Sequence, residues 1–204
     1  MAFVRSEVRI LDIGCGAHKT PGAIGMDINP RTAADVIYDL NCVPYPYLDN
    51  SFDEVIGRHV IEHVDCLLDV VSEIHRITKP GGVIKFLAPH YTNPDWATDP
   101  THRTHLNSFS FRCFTDPEAP FPFYTQVRLV PRRIHVSLLN LWKLLGIQFL
   151  INLDQRFPWM RFLRRFWEHY LSFIIRGKEI YYEFEVVKDA SDRSNELGAS
   201  AKID

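Results

Sequence analysis

The segment Val8–Gly16, reading VRILDIGCG, constrains the fold of this chain more than any other. An apolar, β-branched run is the mark of a strand buried on both faces, as in a parallel sheet. It ends in Asp12 and opens at once into a glycine turn. Gly14 and Gly16 lack a Cβ, so backbone there can adopt positive φ and pass close to a ligand. A buried strand feeding such a turn is how doubly wound α/β proteins bind nucleotide-like ligands at the carboxyl ends of their strands.

The rest of the first half repeats the theme. Ala23–Ile28 predicts a second strand, Asp35–Tyr38 a third, Phe52–Ile56 a fourth and Val83–Ala88 a fifth. Ile61–Thr78 carries Val64, Leu67, Leu68, Val71, Ile74 and Ile77 at helical spacing. Lys79-Pro80-Gly81-Gly82 stops that helix. Further on, a short helix is expected around Leu106–Phe114, and strands at Val127–Val136 and Glu179–Val187. Between those two strands lies an apolar and aromatic helical insertion, 137–176. The reading is one α/β domain over 1–188 with a Rossmann-like doubly wound sheet, mostly parallel with a late antiparallel strand, and a flexible polar tail over 189–204. A chain of 204 residues, 46% hydrophobic and 24% charged, can bury such a core. Its four cysteines are scattered without a CxxC pair, and MAFVRSEV is too short and charged for a secretory leader. A reduced, cytoplasmic protein is expected, peripheral to membranes at most. A net charge of −2 gives no general pull toward nucleic acid, and none is expected as a partner.

In order, LDIGCG, GMDI, YDL, PYLDNSFDEVIGRHVIEHV and EIHRITKPGGVIKF resemble a class I S-adenosylmethionine-dependent methyltransferase of the type-11 or UbiE-like branch. The resemblance covers roughly Val8–Ala88. It implies S-adenosylmethionine as cofactor and transfer of its methyl group to an acceptor that the sequence does not name; the apolar insertion suits a small-molecule, lipid-like or glycan one. The Gly14–Cys15–Gly16 loop would pass beside the methionine part, with Asp12 orienting the turn or meeting the ammonium group. Asp27, followed by Ile28, would accept from the ribose hydroxyls. Asp39 would accept from the adenine amino group with Leu40 against the ring. Arg58 and His59 would lie beneath the cofactor. One departure stands out: Asp27 follows Gly16 by only eleven residues, against about twenty in the related dinucleotide fingerprint. Ala17–Gly22 therefore cannot hold a full crossover helix.

Three features lie outside that pattern. His59-Val60-Ile61-Glu62-His63 matches HxxEH, an inverted zinc-protease motif. It straddles a strand end, so Glu62 and His63 are expected to cap a helix and no metal is assigned. His90, Tyr91 and His102, in a loop after the fifth strand, are the candidate acid–base or acceptor-binding residues, since a hydroxyl acceptor profits from a base titrating near neutrality. A metal set of His90, Asp95, His102 and His105, serving a hydrolase, is the alternative there. Finally, Arg156–Lys178 reads as an amphipathic helix in which Arg161, Arg164, Arg165, Glu168 and Ser172 form a polar stripe opposite a wide apolar face. It suits a lid, a homodimer surface or a membrane surface. A catalytically silent cofactor-binding protein docked on a membrane or partner is the rival to an enzyme.

Overall fold

The computed structural model describes residues 8–116, 118–119 and 123–188. The polar tail expected over 189–204 lies outside them. Seven strands form one sheet: β1 (Ile10–Ile13), β2 (Ile24–Asp27), β3 (Val36–Ile37), β4 (Phe52–Arg58), β5 (Thr78–Pro89), β6 (Arg128–Leu138) and β7 (Gly177–Val187). Their order is β3-β2-β1-β4-β5-β7-β6. β1 to β5 are mutually parallel, while β7 runs antiparallel to β5 and β6. The Rossmann-like fold with one late antiparallel strand is therefore present. Strand order reverses at β1, which opens a crevice at the carboxyl ends of β1 and β4 where such sheets bind ligands.

The core explains the order. Leu11, Ile13, Met26, Val55, Ile84 and Phe86 are fully buried on the central strands. Helix α1 (Leu67–Ile77) covers them with Val70, Val71, Ile74 and Ile77. Phe111, just before the short helix α2 (Arg112–Thr115), packs on Phe86, Tyr182 and Phe184 with ring centroids 4.7–5.7 Å apart.

Three helices are shorter than their patterns predict, the one expected over Arg156–Lys178 being confined to Arg161–Phe166 and a π-helical turn to Leu171. The helix expected from Ile61 starts at Leu67. Ile61 and Val64 are buried, as the periodicity demands, but on a turn rather than a helix. Of the helix expected over Leu106–Phe114, only α2 forms. The first crossover is abbreviated as its length requires, with turns and no helix over 14–23.

Between β6 and β7 stands the helical insertion: α3 (Asn140–Leu144), α4 (Ile147–Ile151) and α5 (Arg161–Phe166), the last running into a π-helical turn, Trp167–Leu171. The expected polar stripe faces inward, not to solvent. Arg164, Glu168 and Ser172 are buried, and only Arg161 and Arg165 of that set are exposed. Arg164 donates to Asp154 Oδ1 (2.6 Å), Asn152 Oδ1 (3.1 Å) and Ile151 O (3.2 Å). The apolar face is the one left outside. Leu144 is 85%, Trp159 72%, Tyr170 72% and Phe173 70% exposed.

Candidate active site

Five loops leave the carboxyl edge of the parallel strands, and the sequence-predicted binding residues gather there. Gly14 has φ +58°, and a Cβ on it would lie 2.3 Å from Val60 Cγ2. The glycine is thus required twice, by conformation and by the close approach of the loop after β4. Gly14→Ala is expected to cost about 2–5 kcal/mol, about 1–2 from left-handed backbone and about 1–3 from overpacking, read as a lowered urea midpoint. Gly16 has φ +54° and open space where its Cβ would project, which is the room a ligand needs. Cys15 between them is buried, and burial is the first cause of its raised thiol pKa, with Asp27 and Asp12 adding to it.

Asp12 is fully buried. Its Oδ2 accepts from Thr20 N (2.7 Å) and Arg58 Nη2 (2.8 Å), while Oδ1 has no hydrogen-bond partner. Arg58 also donates to His18 O (2.9 Å) and Thr20 Oγ1 (3.1 Å), so it pins the short loop that replaces the crossover helix. Asp27 Oδ2 accepts from Gly16 N (2.9 Å) and Oδ1 from Asn29 N (2.8 Å). A carboxylate has about four acceptor sites, so two remain for a ligand. Asp39 accepts from Asn41 N at 2.9 Å; Leu40 is buried and Ile28 is exposed. The orphan oxygen of Asp12, the open side of Gly16 and the spare capacity of Asp27 together fit a cofactor carrying an ammonium group and a ribose.

Behind this edge the predicted catalytic residues separate. His90 is fully buried. Thr92 Oγ1 accepts from Gly177 N (3.0 Å) and gives its own proton to His90 Nδ1 (2.8 Å), which leaves Nε2–H for Glu168, 3.3–3.4 Å away. Burial alone would raise the Glu168 carboxyl pKa; hydrogen bonds from His90 and Ser108 outweigh this and hold it below the ordinary range. Tyr91 meets Ser172 Oγ at 2.7 Å and donates to Glu168 O at 3.3 Å. His90 and Tyr91 therefore fasten the insertion to the end of β5.

His102 lies elsewhere, beside His63 (ring centroids 4.7 Å) and 4.0 Å from Glu62. His105 stacks on Trp96 at 3.9 Å, and Asp95 is exposed on a 3-10 helix, Pro94–Thr98, so the four-residue metal set does not assemble. Neither Glu62 nor His63 caps a helix, since α1 begins after Cys66 with no side-chain cap. His59 has φ +51°, a left-handed conformation uncommon outside glycine. The Glu62 carboxylate, 3.5 Å from His59 Nδ1, raises the histidine's pKa. The turn-borne grouping of Glu62 with three histidines was not foreseen as a unit; the HxxEH spacing was its signal in the sequence.

Residues 11–86 match the family model described as "Methyltransferase domain". Over these residues the chain is thus similar to S-adenosylmethionine-dependent methyltransferases, a family whose cofactor is S-adenosylmethionine. Curated relatives include "24-methylenesterol C-methyltransferase 2" of Arabidopsis thaliana, 26% identical over 118 residues, 47% of this chain and 31% of that protein. A "Probable S-adenosylmethionine-dependent methyltransferase" of Mycolicibacterium smegmatis is 30% identical over 119 residues, 48% of this chain and 46% of that protein. The chain spans less than half the length of each of these relatives. Among solved structures, an S-adenosylmethionine-dependent methyltransferase from Archaeoglobus fulgidus is similar in fold, with TM-score 0.57, 19% identity and coverage of 87% of this chain and 86% of that one. The [4+2]-cyclase SpnF is also similar, with TM-score 0.55, 16% identity and coverage of 91% and 77%. That pairing illustrates that the fold alone does not fix the chemistry.

Proposed function

We propose that this chain transfers the methyl group of S-adenosylmethionine to a lipid-like acceptor that it meets at an anionic membrane surface. The observation that carries the cofactor half is the ring of acceptors at one sheet edge: Asp12 with a bare buried oxygen, and Asp27 bonded to the loop at Gly16 with sites to spare. Bound there, the cofactor would bring an activated methyl group on a sulfonium. The chain's part is to bind, orient and exclude water, the effects that dominate a transfer needing little acid–base help. In this reading Asp27 holds the ribose, Asp39 and Leu40 face the adenine, Asp12 meets the ammonium, and Arg58 keeps the loop in place.

Losing a charged acceptor in a dry site costs about 1.5–3 kcal/mol. Asp27→Ala is therefore expected to weaken S-adenosylmethionine at least about tenfold in calorimetry, with the circular dichroism spectrum kept. Unchanged affinity would overturn the ribose assignment.

The lipid half rests on the insertion. Its acids, Asp154 and Glu168, turn inward, while Lys143, Arg156, Arg161, Arg165 and Arg176 are exposed among the exposed aromatics. A surface both apolar and cationic complements an anionic bilayer, whose interface accepts aromatic side chains and whose headgroups attract arginine. A surface cleft of about 340 Å³ on the insertion, with Arg133 and Lys143 in its wall, lies where a headgroup could sit. Among the described residues no helix is long and apolar enough to cross a membrane, so contact would be at the surface. The sterol methyltransferase named among the relatives points the same way for the acceptor.

A further inference from the structure

We propose that Glu62, His63 and His102 form a binding site for a divalent transition-metal ion of the zinc type. Glu62 is 0% exposed, yet neither carboxylate oxygen has a hydrogen-bond partner. Buried charges are paired, hydrogen-bonded or bound to metal, and the groups that face these two oxygens are histidine rings able to hold a metal ion with them. The histidines around Glu62 are oriented to share one with it. Thr101 Oγ1 donates to Asp99 Oδ1 at 2.6 Å, so toward His63 Nδ1, 2.9 Å away, it acts as acceptor. His102 Nδ1 donates to Trp96 O at 2.7 Å. Both rings thus carry a proton on Nδ1, and the Nε2 of each lies 4.0 Å from Glu62 Oε1.

Three lone-pair atoms converge, and all lie within 4.8 Å of one another. In a tetrahedral zinc shell neighbouring ligand atoms stand about 3.3 Å apart, a closure that side-chain rotation supplies. The outer contacts match those of metal-binding histidines, which donate their other N–H to a carbonyl or, here through Thr101, to a carboxylate. The two segments are also locked together, because Glu62 O accepts from Arg103 N (2.7 Å) and Thr104 N (3.0 Å). His59 contributes differently. Its Nδ1 is 3.5 Å from Glu62 Oε1 and its Nε2 3.7 Å from Glu179 Oε1, so it bridges two acids. The arrangement is consequently not that of a helix-borne zinc protease.

Three protein ligands leave a coordination position open, the pattern of a working rather than a purely structural site. His63, 31% exposed, gives the side of access. Val60, on the same turn, packs against the Gly14 loop, so the site borders the cofactor edge. On the methyl-transfer reading, on which this point alone rests, the open position takes an oxygen atom of the acceptor.

The test uses chelator-stripped full-length protein and zinc alone, without S-adenosylmethionine. One equivalent is expected to bind. Thr101→Val should weaken binding about 10–100-fold through His63, and joint replacement of His63 and His102 by Ala should abolish it. Wild-type protein loaded with cobalt(II) should show the visible spectrum of a tetrahedral nitrogen–oxygen site, a readout independent of whether any variant folds. Failure of wild type to bind either ion stoichiometrically, or undiminished binding by the double variant, would overturn the proposal. Because the readout involves no methyl transfer, its failure leaves the methyltransferase reading standing.

Discussion

Glu168→Ala is expected to destabilise the protein by about 2–6 kcal/mol. The substitution strands two buried donors, the Ser108 N–H at 2.9 Å and the His90 Nε2–H, at about 1–3 kcal/mol each. Against a typical total of about 5–15 kcal/mol, that is a large share. Urea unfolding of the variant measures it directly. The pH dependence has a defined sign. Glu168 is held below its ordinary pKa in the folded chain, so its contribution is full above the unfolded carboxyl pKa, about 4.3. It is lost as pH falls through the lower, folded value. Wild type should therefore weaken on acidification more steeply than Glu168→Ala. A variant as stable as wild type at neutral pH would show that this contact does not hold the insertion to the sheet.

The second large effect concerns the outer face of that insertion. Each arginine near an anionic surface contributes about 1 kcal/mol. Reversing Arg161 and Arg165 to Glu removes two attractions and adds two repulsions, about 4 kcal/mol or roughly a thousandfold in partitioning. Wild type should co-sediment with phosphatidylserine-containing vesicles at low salt and the double variant should not. Raising the salt should release the wild type, since exposed charges are screened beyond about 10 Å at 0.1 M. Arg164 is left intact because it is buried against Asp154. Wild type that ignores such vesicles and elutes as a dimer would instead assign the apolar face to a second copy of the chain.

Much of the parallel half of the sheet was legible in the amino-acid sequence. β1 and β2 were legible as short apolar runs closed by Asp12 and Asp27 at one sheet edge, and β4 and β5 by buried apolar residues recurring along them. The abbreviated first crossover was legible too, because six residues between Gly16 and Ala23 cannot form a packed helix. The start of α1 was not: Ile61 and Val64 keep helical spacing yet are buried from a turn, so periodicity reported burial, not conformation. In the insertion, periodicity grouped five polar residues into one stripe, yet Arg161 and Arg165 stay exposed while the other three turn inward. Arg164, Glu168 and Ser172 face inward because Asp154, His90 and Tyr91, all distant in sequence, offer partners there. His90 and Tyr91 carried the residue types of catalysis, and only the fold revealed what they touch. Glu62 and His63 were visible as a motif, but His102 reaches them from 40 residues away.

Methyl transfer at a lipid surface can be read from the fate of the methyl group itself. S-adenosylmethionine labelled in its methyl group is incubated with the protein and anionic vesicles made from a cell lipid extract, and both S-adenosylhomocysteine and labelled lipid are quantified. S-adenosylhomocysteine should form in step with label entering the lipid fraction, and both should fall sharply in Asp27→Ala. Binding of S-adenosylmethionine with no S-adenosylhomocysteine formed and no label in lipid would contradict it.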